Sequence, residues 1–218
     1  MLVHPWDAAS SDEEWRAVLQ HFDFGQLIAP GGPDRELPVV VPTHFIFDGE
    51  HTIELHLARP NPVWRALAER PRALFTVVAD YVYVPAAVNA GQDVAAELGV
   101  PTSYYAAVQV SCDVEVIDEP EEKAGLLNRQ LAHFEPPGSA RLPVSTATDS
   151  DRRLLPGIRG IRLSGTQVRA KFKYGGNKTR EHREAIAEAL AVRNGSMDDS
   201  ARRRLLARSA TTEVSAPD

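Results

Sequence analysis

The residues best suited to chemistry lie at positions 56–64, which read HLARPNPVW. An alternating strand ends here, the cation Arg59 follows it, and Asn61-Pro62 has the pattern of a helix start. A guanidinium and the free amides of a helix N-terminus can together bind an anion. The structural alternative is that Arg59 and Asn61 only cap the corner while Trp64 fills the core. The local pattern leaves both interpretations open.

A second set of cations follows one face of a predicted strand over 166–174. Arg169, Lys171 and Lys173 occupy alternate positions there. Like charges on one strand face repel each other unless water or an acidic group lies beside them. Solvation by water usually relieves this repulsion, and a bound phosphate or carboxylate is the alternative hypothesis.

Two of the seven histidines, His44 and His56, fall on predicted strands, and neither follows the apolar face of its neighbours. Such a histidine can be a surface residue, a general base or a nitrogen ligand to iron. The single cysteine, Cys112, is predicted to face a core, where a thiol is inert. The sequence has no glycine-rich phosphate loop before a helix, no C-x-x-C motif, and no i, i+4 histidine pair for zinc in HTIELH at 51–56.

Composition predicts one acidic globular domain. The 218 residues carry 24 Lys plus Arg against 30 Asp plus Glu, a formal net charge of -6, which argues against a dedicated nucleic-acid binder. No apolar stretch is long enough to span a membrane, and the first residues lack the features of a secretory signal, so we expect a cytoplasmic protein. We predict a single domain over 1–195, then a C-terminal helix and frayed tail over 196–218.

The elements that position these residues are mostly short strands. Alternation and turn signals, one of them at 31–34, predict strands at 26–29, 38–41, 45–47, 52–57, 73–79, 81–84, 104–117, 158–163 and 166–174. A first helix begins at Ser11, with Glu14 completing a capping box, and further helices are predicted at 63–70, 92–98, 121–134 and 181–193. This order is not βαβ alternation. We therefore predict an α+β fold, mainly antiparallel β, as a barrel decorated with helices.

Three details of this prediction bear on the site. Strand 104–117 alternates cleanly, and its length of about 14 residues suits a barrel strand that bends between two sheets. A Ser164-Gly165 turn is predicted to join the last two strands. Helix 121–134 is predicted to bury Leu127, Leu131 and Phe134, and residues 135–150 are predicted to form a long loop of the kind that is often functional.

Three stretches of the chain resemble the PaiB-type proteins of the FMN-binding split-barrel class. They are 56–64 (HLARPNPVW), 100–118 (VPTSYYAAVQVSCDVEVID) and 158–177 (IRGIRLSGTQVRAKFKYGGN), and the resemblance extends over roughly 10–193. It implies a six-stranded split barrel that forms a homodimer and holds its cofactor in the crevice between protomers.

The chain departs from that family where a flavin would be surrounded by polar groups. The usual V-P-T-W-N-Y is VPTSYY at 100–105, the family's histidine is Gln109, and K-F-K-L-S-Q-N is KFKYGGN at 171–177. The usual T-H-L-P is replaced by VPTH at 41–44. The cationic anchors remain, so the departures favour a cofactor other than FMN.

Within this class the chain is most similar to the haem-dependent piperazate synthases. That resemblance implies haem b with His56 on the iron, or His44 as second choice. It also implies cofactor contacts from Arg59, Asn61, Lys171 and Lys173, and a substrate pocket shaped by Tyr104, Tyr105 and Gln109.

The implied reaction converts L-N5-hydroxyornithine to L-piperazic acid by redox-neutral loss of water. Two other functions stay open. One is an FMN-binding negative transcriptional regulator or flavin-dependent reductase, and the other is a haem or flavin carrier without catalysis.

Overall fold

A computed structural model describes residues 1–33, 35–91 and 94–208. Within them the strands are β1 Phe24–Ala29, β2 Val39–His44, β3 Ile46–Phe47, β4 Thr52–Ala58, β5 Arg72–Val84, β6 Thr102–Ile117 and β7 Ile158–Lys173. The helices are α1 Asp12–His21, α2 Val63–Glu69, α3 Ala86–Asn89, α4 Pro120–Phe134, α5 Asp149–Leu154, α6 Arg180–Arg193 and α7 Asp198–Ala207. Short 3-10 turns occur at Pro5–Asp7, Ala96–Leu98 and Leu155–Gly157.

The seven strands described form a sheet in the order β2-β1-β5-β6-β7-β4-β3. β1 pairs antiparallel with β2 and β5, and β4 pairs antiparallel with β3 and β7. The predicted α+β fold with mainly antiparallel strands is therefore confirmed. The homodimer stays a prediction.

The chain divides into two compact units, and the long strands β5, β6 and β7 contribute to both. The first comprises Met1–Trp15, Val78–Val108 and Ala170–Asp218. Its core includes the fully buried rings of Tyr104, Phe172 and Tyr174. The second comprises Arg16–Val77 and Gln109–Arg169, and its core includes Leu27, Phe45, Leu55, Phe75, Leu126 and Ile161. The predicted division into 1–195 and 196–218 stays a prediction.

The predicted Ser164-Gly165 turn is wrong, because β7 runs without interruption from Ile158 to Lys173. A side chain at Gly165 would place its Cβ 3.0 Å from Val110 and 3.1 Å from the His51 carbonyl oxygen. This glycine therefore permits close strand packing, and its amide donates to the His51 carbonyl oxygen. The two strands predicted at 73–79 and 81–84 are likewise one strand, β5, which contains Asp80 at a φ of 50°.

The helices differ from prediction where the apolar signal is weak. α3 and α5 were not predicted, and α5 occupies the end of the predicted loop 135–150. The predicted helix 92–98 is reduced to the 3-10 turn Ala96–Leu98. Residues 92–93 of that prediction lie outside the described residues, as do Asp34 of the predicted turn 31–34 and the tail from 209 onward. Glu14 accepts hydrogen bonds from the backbone and hydroxyl of Ser10, one residue before the predicted cap.

Helix α4 buries residues that were not predicted. Phe134 is 39% exposed, whereas Lys123, Ala124, Leu126 and Gln130 are buried. Two of these four are polar, and Lys123 Nζ and Gln130 Oε1 have protein partners. A stripe built from apolar residues alone therefore misses the polar part of the buried face.

Helix α4 can approach the sheet closely because a residue of β7 is a glycine. Gly160 on β7 lies directly across from His56 on β4. A Cβ at Gly160 would lie 3.0 Å from Leu126 Cδ1 and 3.1 Å from Ile117 Cβ. The face of the sheet that carries His56 is thus open to α4.

Candidate functional site

His56 is half-buried on β4, where its ring meets helix α4. Its Nδ1 lies 2.6 Å from Oε1 of Gln130, a side chain that is only 4% exposed. A glutamine oxygen can only accept, so this contact favours the tautomer with the proton on Nδ1 and the lone pair on Nε2. Within the described part of the chain, Nε2 has no hydrogen-bond partner. This imidazole is available as a ligand or a base.

His44, the second candidate, lies beside His56. The two ring centroids are 5.3 Å apart, and the Phe134 ring lies 5.1 Å from His44 on another side. Burial lowers the pKa of His44, and the charge of His56 lowers it further. The structure therefore brings the two histidines together and favours a neutral His44.

A cavity of about 200 Å³ opens beside His56. Most of its lining is aliphatic, and the remainder is the ion pair of Arg141 and Asp151, 2.8 Å apart. The aliphatic members are Leu127, Val144, Leu154, Leu155 and Ile158. The sequence does not indicate this cavity, because part of its wall comes from the predicted loop 135–150 and from helix α5, which was not predicted.

The predicted loop 135–150 is held in place where it lines the cavity. Asn128 on α4 donates to the Val144 carbonyl oxygen and accepts from the Val144 amide. Asp151, only 6% exposed, accepts from the Ser145 amide as well as from Arg141. These contacts fix residues 141–151 against His56.

The corner at 56–64 is held by protein contacts. The Arg59 guanidinium donates to the Pro156 carbonyl oxygen and, through both terminal nitrogens, to Asp118. Asn61 accepts from the Val63 amide, and Trp64 is 8% exposed. These are the contacts expected if Arg59 and Asn61 cap the corner and Trp64 fills the core. The cofactor roles of Arg59 and Asn61 stay predictions.

Asp118 forms ion pairs with three cations. Besides Arg59, it accepts from Lys123 Nζ at 3.2 Å and from Arg159 Nε at 3.1 Å. A second cavity of about 540 Å³ adjoins this cluster, with Thr146 and Arg152 on its far side. The hydrogen bond from Arg59, followed by that from Lys123, lowers the pKa of Asp118 below its ordinary value of 3.8.

We expect Asp118→Asn to make stability less sensitive to acid. Because the folded pKa of Asp118 lies below the unfolded value near 3.8, ionised Asp118 stabilises the fold above that value. This contribution is lost as the pH falls through the folded pKa. Urea unfolding at pH 7 and at about pH 3 should show a stability gap between wild type and Asp118→Asn that narrows in acid. An equal gap at both pH values would contradict this.

The two lysines of the predicted cation stripe lie in the first unit and have protein partners. Lys171 is 9% exposed, donates to the Leu2 carbonyl oxygen at 3.0 Å and lies 3.7 Å from Asp7. Lys173 donates to Thr102 at 2.9 Å. The N-terminal segment thus supplies acceptors that strand alternation alone could not reveal.

The predicted substrate residues are divided between the units. Tyr104 and Tyr105 belong to the first unit, with Lys171 Nζ 5.9 Å from the centre of the Tyr105 ring. Gln109 is half-buried in the second. Tyr104 is 2% exposed, its hydroxyl has no hydrogen-bond partner in the described residues, and burial raises its pKa. Their roles stay predictions.

Gln130 and Asp118 are functional candidates that sequence analysis missed. Asp118 follows a strand and Gln130 lies four residues after Leu126. Neither position indicates that Asp118 pairs with Arg59 or that Gln130 contacts His56. Gln130 had one detectable signal: it continues the buried stripe of α4 at i+4 spacing, where a polar residue needs a hydrogen-bond partner.

The residues around His56 fit an iron that is already bound by most of its ligands, as the iron of a haem is. In the described ranges no three His, Cys, Asp or Glu side chains are grouped to hold a metal ion, so a metal at His56 would need further ligands, which a macrocycle could supply. Gln130 Nε2 is buried without a partner among these residues, which leaves a donor for a bound acceptor. The cavity is smaller than the roughly 300–1,000 Å³ of sites that enclose a ligand. One chain would therefore enclose a haem only in part.

Within the described residues, none of the helices combines the length and apolar character that crossing a bilayer requires.

Comparison with known proteins identifies the fold class. Residues 1–167 match the family described as "Putative FMN-binding domain". A search of curated proteins found no match.

Several solved structures are similar in fold. The FAD and heme binding protein from Mycobacterium smegmatis has a TM-score of 0.59 and 21% identity, covering 82% of this chain and 80% of that one. The flavocytochrome Anf3 from Azotobacter vinelandii has a TM-score of 0.59 and 20% identity, covering 78% and 71%. A conserved hypothetical protein from Mycobacterium tuberculosis has a TM-score of 0.53 and 16% identity, covering 79% and 90%. These matches confirm the predicted split-barrel fold, and the described sheet has seven strands where the resemblance implied six.

Proposed function

The chain belongs to the family of FMN-binding domains, and from this premise we propose that it is a haem-dependent enzyme with His56 on the iron. The observation that carries the proposal is the 2.6 Å contact between His56 Nδ1 and the buried Gln130. It leaves the Nε2 lone pair for a metal, which is how haem-ligating histidines are commonly held. His44 is the alternative ligand.

The surroundings of His56 support haem over a small polar ligand. The adjoining cavity is mostly aliphatic, which suits the apolar face of a porphyrin. Two proteins of similar fold are described as binding FAD and heme and as a flavocytochrome, so the fold is compatible with haem as well as with flavin. A homodimer would complete the enclosure that one chain lacks.

We propose that the reaction is the dehydrative cyclisation of L-N5-hydroxyornithine to L-piperazic acid. The α-amine attacks the hydroxylated nitrogen, a nitrogen–nitrogen bond forms, the nitrogen–oxygen bond breaks, and the hydroxyl leaves as water without net redox change. Bound haem would supply a Lewis acid for the departing oxygen. A base must take the amine proton.

The chain's own residues would orient the substrate. Gln109 is proposed to shape its pocket, because it lies on β6, the strand that differs most from the family's pattern, whereas the same role for Tyr104 and Tyr105, which belong to the other unit, stays a prediction. Arg59 and Asn61 are proposed to lie towards the haem propionates, whereas the same role for Lys171 and Lys173, which belong to the other unit, stays a prediction. Each of these cations already has a protein acceptor, so binding would require it to share or exchange that partner.

The reaction is tested by incubating haem-loaded protein with L-N5-hydroxyornithine and analysing products by mass spectrometry. We expect a product lighter by one water that co-migrates with piperazic acid, and none from ornithine, which lacks the leaving hydroxyl. Haem-free protein is the second control. Loaded protein that leaves the hydroxylated substrate unchanged would contradict the proposed reaction.

FMN is the second candidate cofactor, because the family match itself favours it. In that case the protein would be a flavin-binding transcriptional regulator or a flavin-dependent reductase. Yellow protein that releases fluorescent FMN on denaturation would support this alternative.

A further inference from the structure

We infer that Gln130 is a positioning residue that holds His56 in the tautomer protonated at Nδ1. The part of this inference that concerns iron rests on the proposed function, whereas the tautomer itself can be measured in protein without any cofactor. Gln130 lies on α4, 74 positions away from His56 in sequence, and reaches it only through the fold.

The neighbour of Gln130 fixes α4 to the same strand. Arg129 donates through Nε and a terminal nitrogen to both oxygens of Glu54, at 2.7 and 2.9 Å. Glu54 is only 8% exposed and also accepts from Arg162 at 3.1 Å. Paired charges in this bidentate geometry are strong and directional. They hold the backbone of α4 next to Gln130 at a set distance from β4.

Glu54 and His56 lie two positions apart on β4, so their side chains point to the same face of the sheet. Adjacent residues of α4 therefore contact alternate residues of β4: Arg129 contacts Glu54, and Gln130 contacts His56. Gly160 opposite His56 lets α4 come this close. The backbone that carries Gln130 is thus held against β4, which keeps the Gln130 amide within reach of His56.

The hydrogen bond has a chemical consequence at the other end of the ring. An acceptor at Nδ1 keeps that nitrogen protonated, sets the ring plane and increases the basicity of Nε2. Outer partners of this kind typically contribute 10- to 100-fold in metal affinity or activity. Gln130 would therefore raise the affinity of His56 for iron without touching it.

The first test uses haem-free protein and long-range ¹H–¹⁵N correlation of the His56 ring at about pH 8, above the ordinary pKa of histidine. We expect the Nδ1–H tautomer in wild type and in Gln130→Glu, which keeps an acceptor in place. Gln130→Met keeps the length of the side chain but removes the acceptor, and should lose this preference. Gln20→Met, a change at an exposed helical glutamine, is the matched control and should behave as wild type.

The second test is haem affinity, measured by titration with haemin. Gln130→Met should bind about 10- to 100-fold more weakly, and Gln130→Glu should restore binding. The iron–histidine stretching band of the ferrous protein should shift in the Met variant, which has no acceptor at Nδ1.

The outcomes separate the two claims. Wild-type protein with the expected tautomer but no haem bound through His56 would overturn the proposed function and leave the role of Gln130 intact. An unchanged tautomer in Gln130→Met, or the Nε2–H form in Gln130→Glu, would overturn the inference. If the Met variant fails to fold, the tautomer in wild type and in the Glu variant still decides the question.

Discussion

Replacing His56 by alanine is expected to abolish the Soret band of haem-loaded protein and all turnover. His56 offers the free Nε2 beside a mostly aliphatic cavity, and it is the histidine among the described residues that line this cavity. Removing the imidazole leaves space and no ligand for iron. Absorption spectra after haemin loading and desalting measure the effect, and circular dichroism checks that the fold survives.

His44→Ala is the matched control, because His44 lies beside His56 and is the second candidate ligand. It should retain the Soret band. Free imidazole added to His56→Ala should restore the band by filling the vacated space. A Soret band that survives in His56→Ala but disappears in His44→Ala would transfer the ligand role to His44.

Lys123→Met is expected to destabilise the protein by about 3 kcal/mol, the usual cost of leaving buried polar groups without partners. The Lys123 side chain is 3% exposed, and its ammonium donates to the carbonyl oxygens of Leu155 at 2.9 Å and Ile158 at 3.4 Å, and to Asp118. Methionine keeps the stem of the side chain but donates nothing. Urea unfolding should show a lower midpoint with an unchanged slope.

Arg152→Met is the control for this change. Arg152 and Lys123 both line the cavity of about 540 Å³ beside Asp118, but the Arg152 side chain is 62% exposed. Its effect should stay within about 0.5 kcal/mol. Because Leu155 and Ile158 also line the cavity at His56, Lys123→Met should in addition weaken haem binding. Equal stability losses in the two variants would contradict a specific role for the buried ammonium.

The sequence predicts elements well where one physical signal dominates. The alternation at 104–117 corresponds to β6, and the predicted helix 181–193 corresponds to α6, which ends at Asn194 in the left-handed conformation. The prediction fails at Ser164-Gly165 because a glycine that permits close packing and a glycine that permits a turn look alike in sequence. Only the contacts of Gly165 with Val110 on β6 and with His51, just before β4, distinguish them.

The candidate site is predictable only for residues whose local pattern is distinctive. His56, Arg59 and Asn61 stand out because they share one short segment. Gln130 could not be assigned, because its function depends on where α4 packs, and α4 presents a partly polar face to the sheet. Lys171 looked solvated for a related reason: the acceptors at Leu2 and Asp7 arrive from the opposite end of the chain.

The most direct test of haem ligation by His56 is the absorption spectrum of the wild-type protein after exposure to equimolar haemin and FMN, followed by desalting. We predict a sharp Soret band, no flavin absorption, and loss of that band in His56→Ala. Retained FMN bands without a Soret band would contradict the assignment and make this chain a flavoprotein of its family.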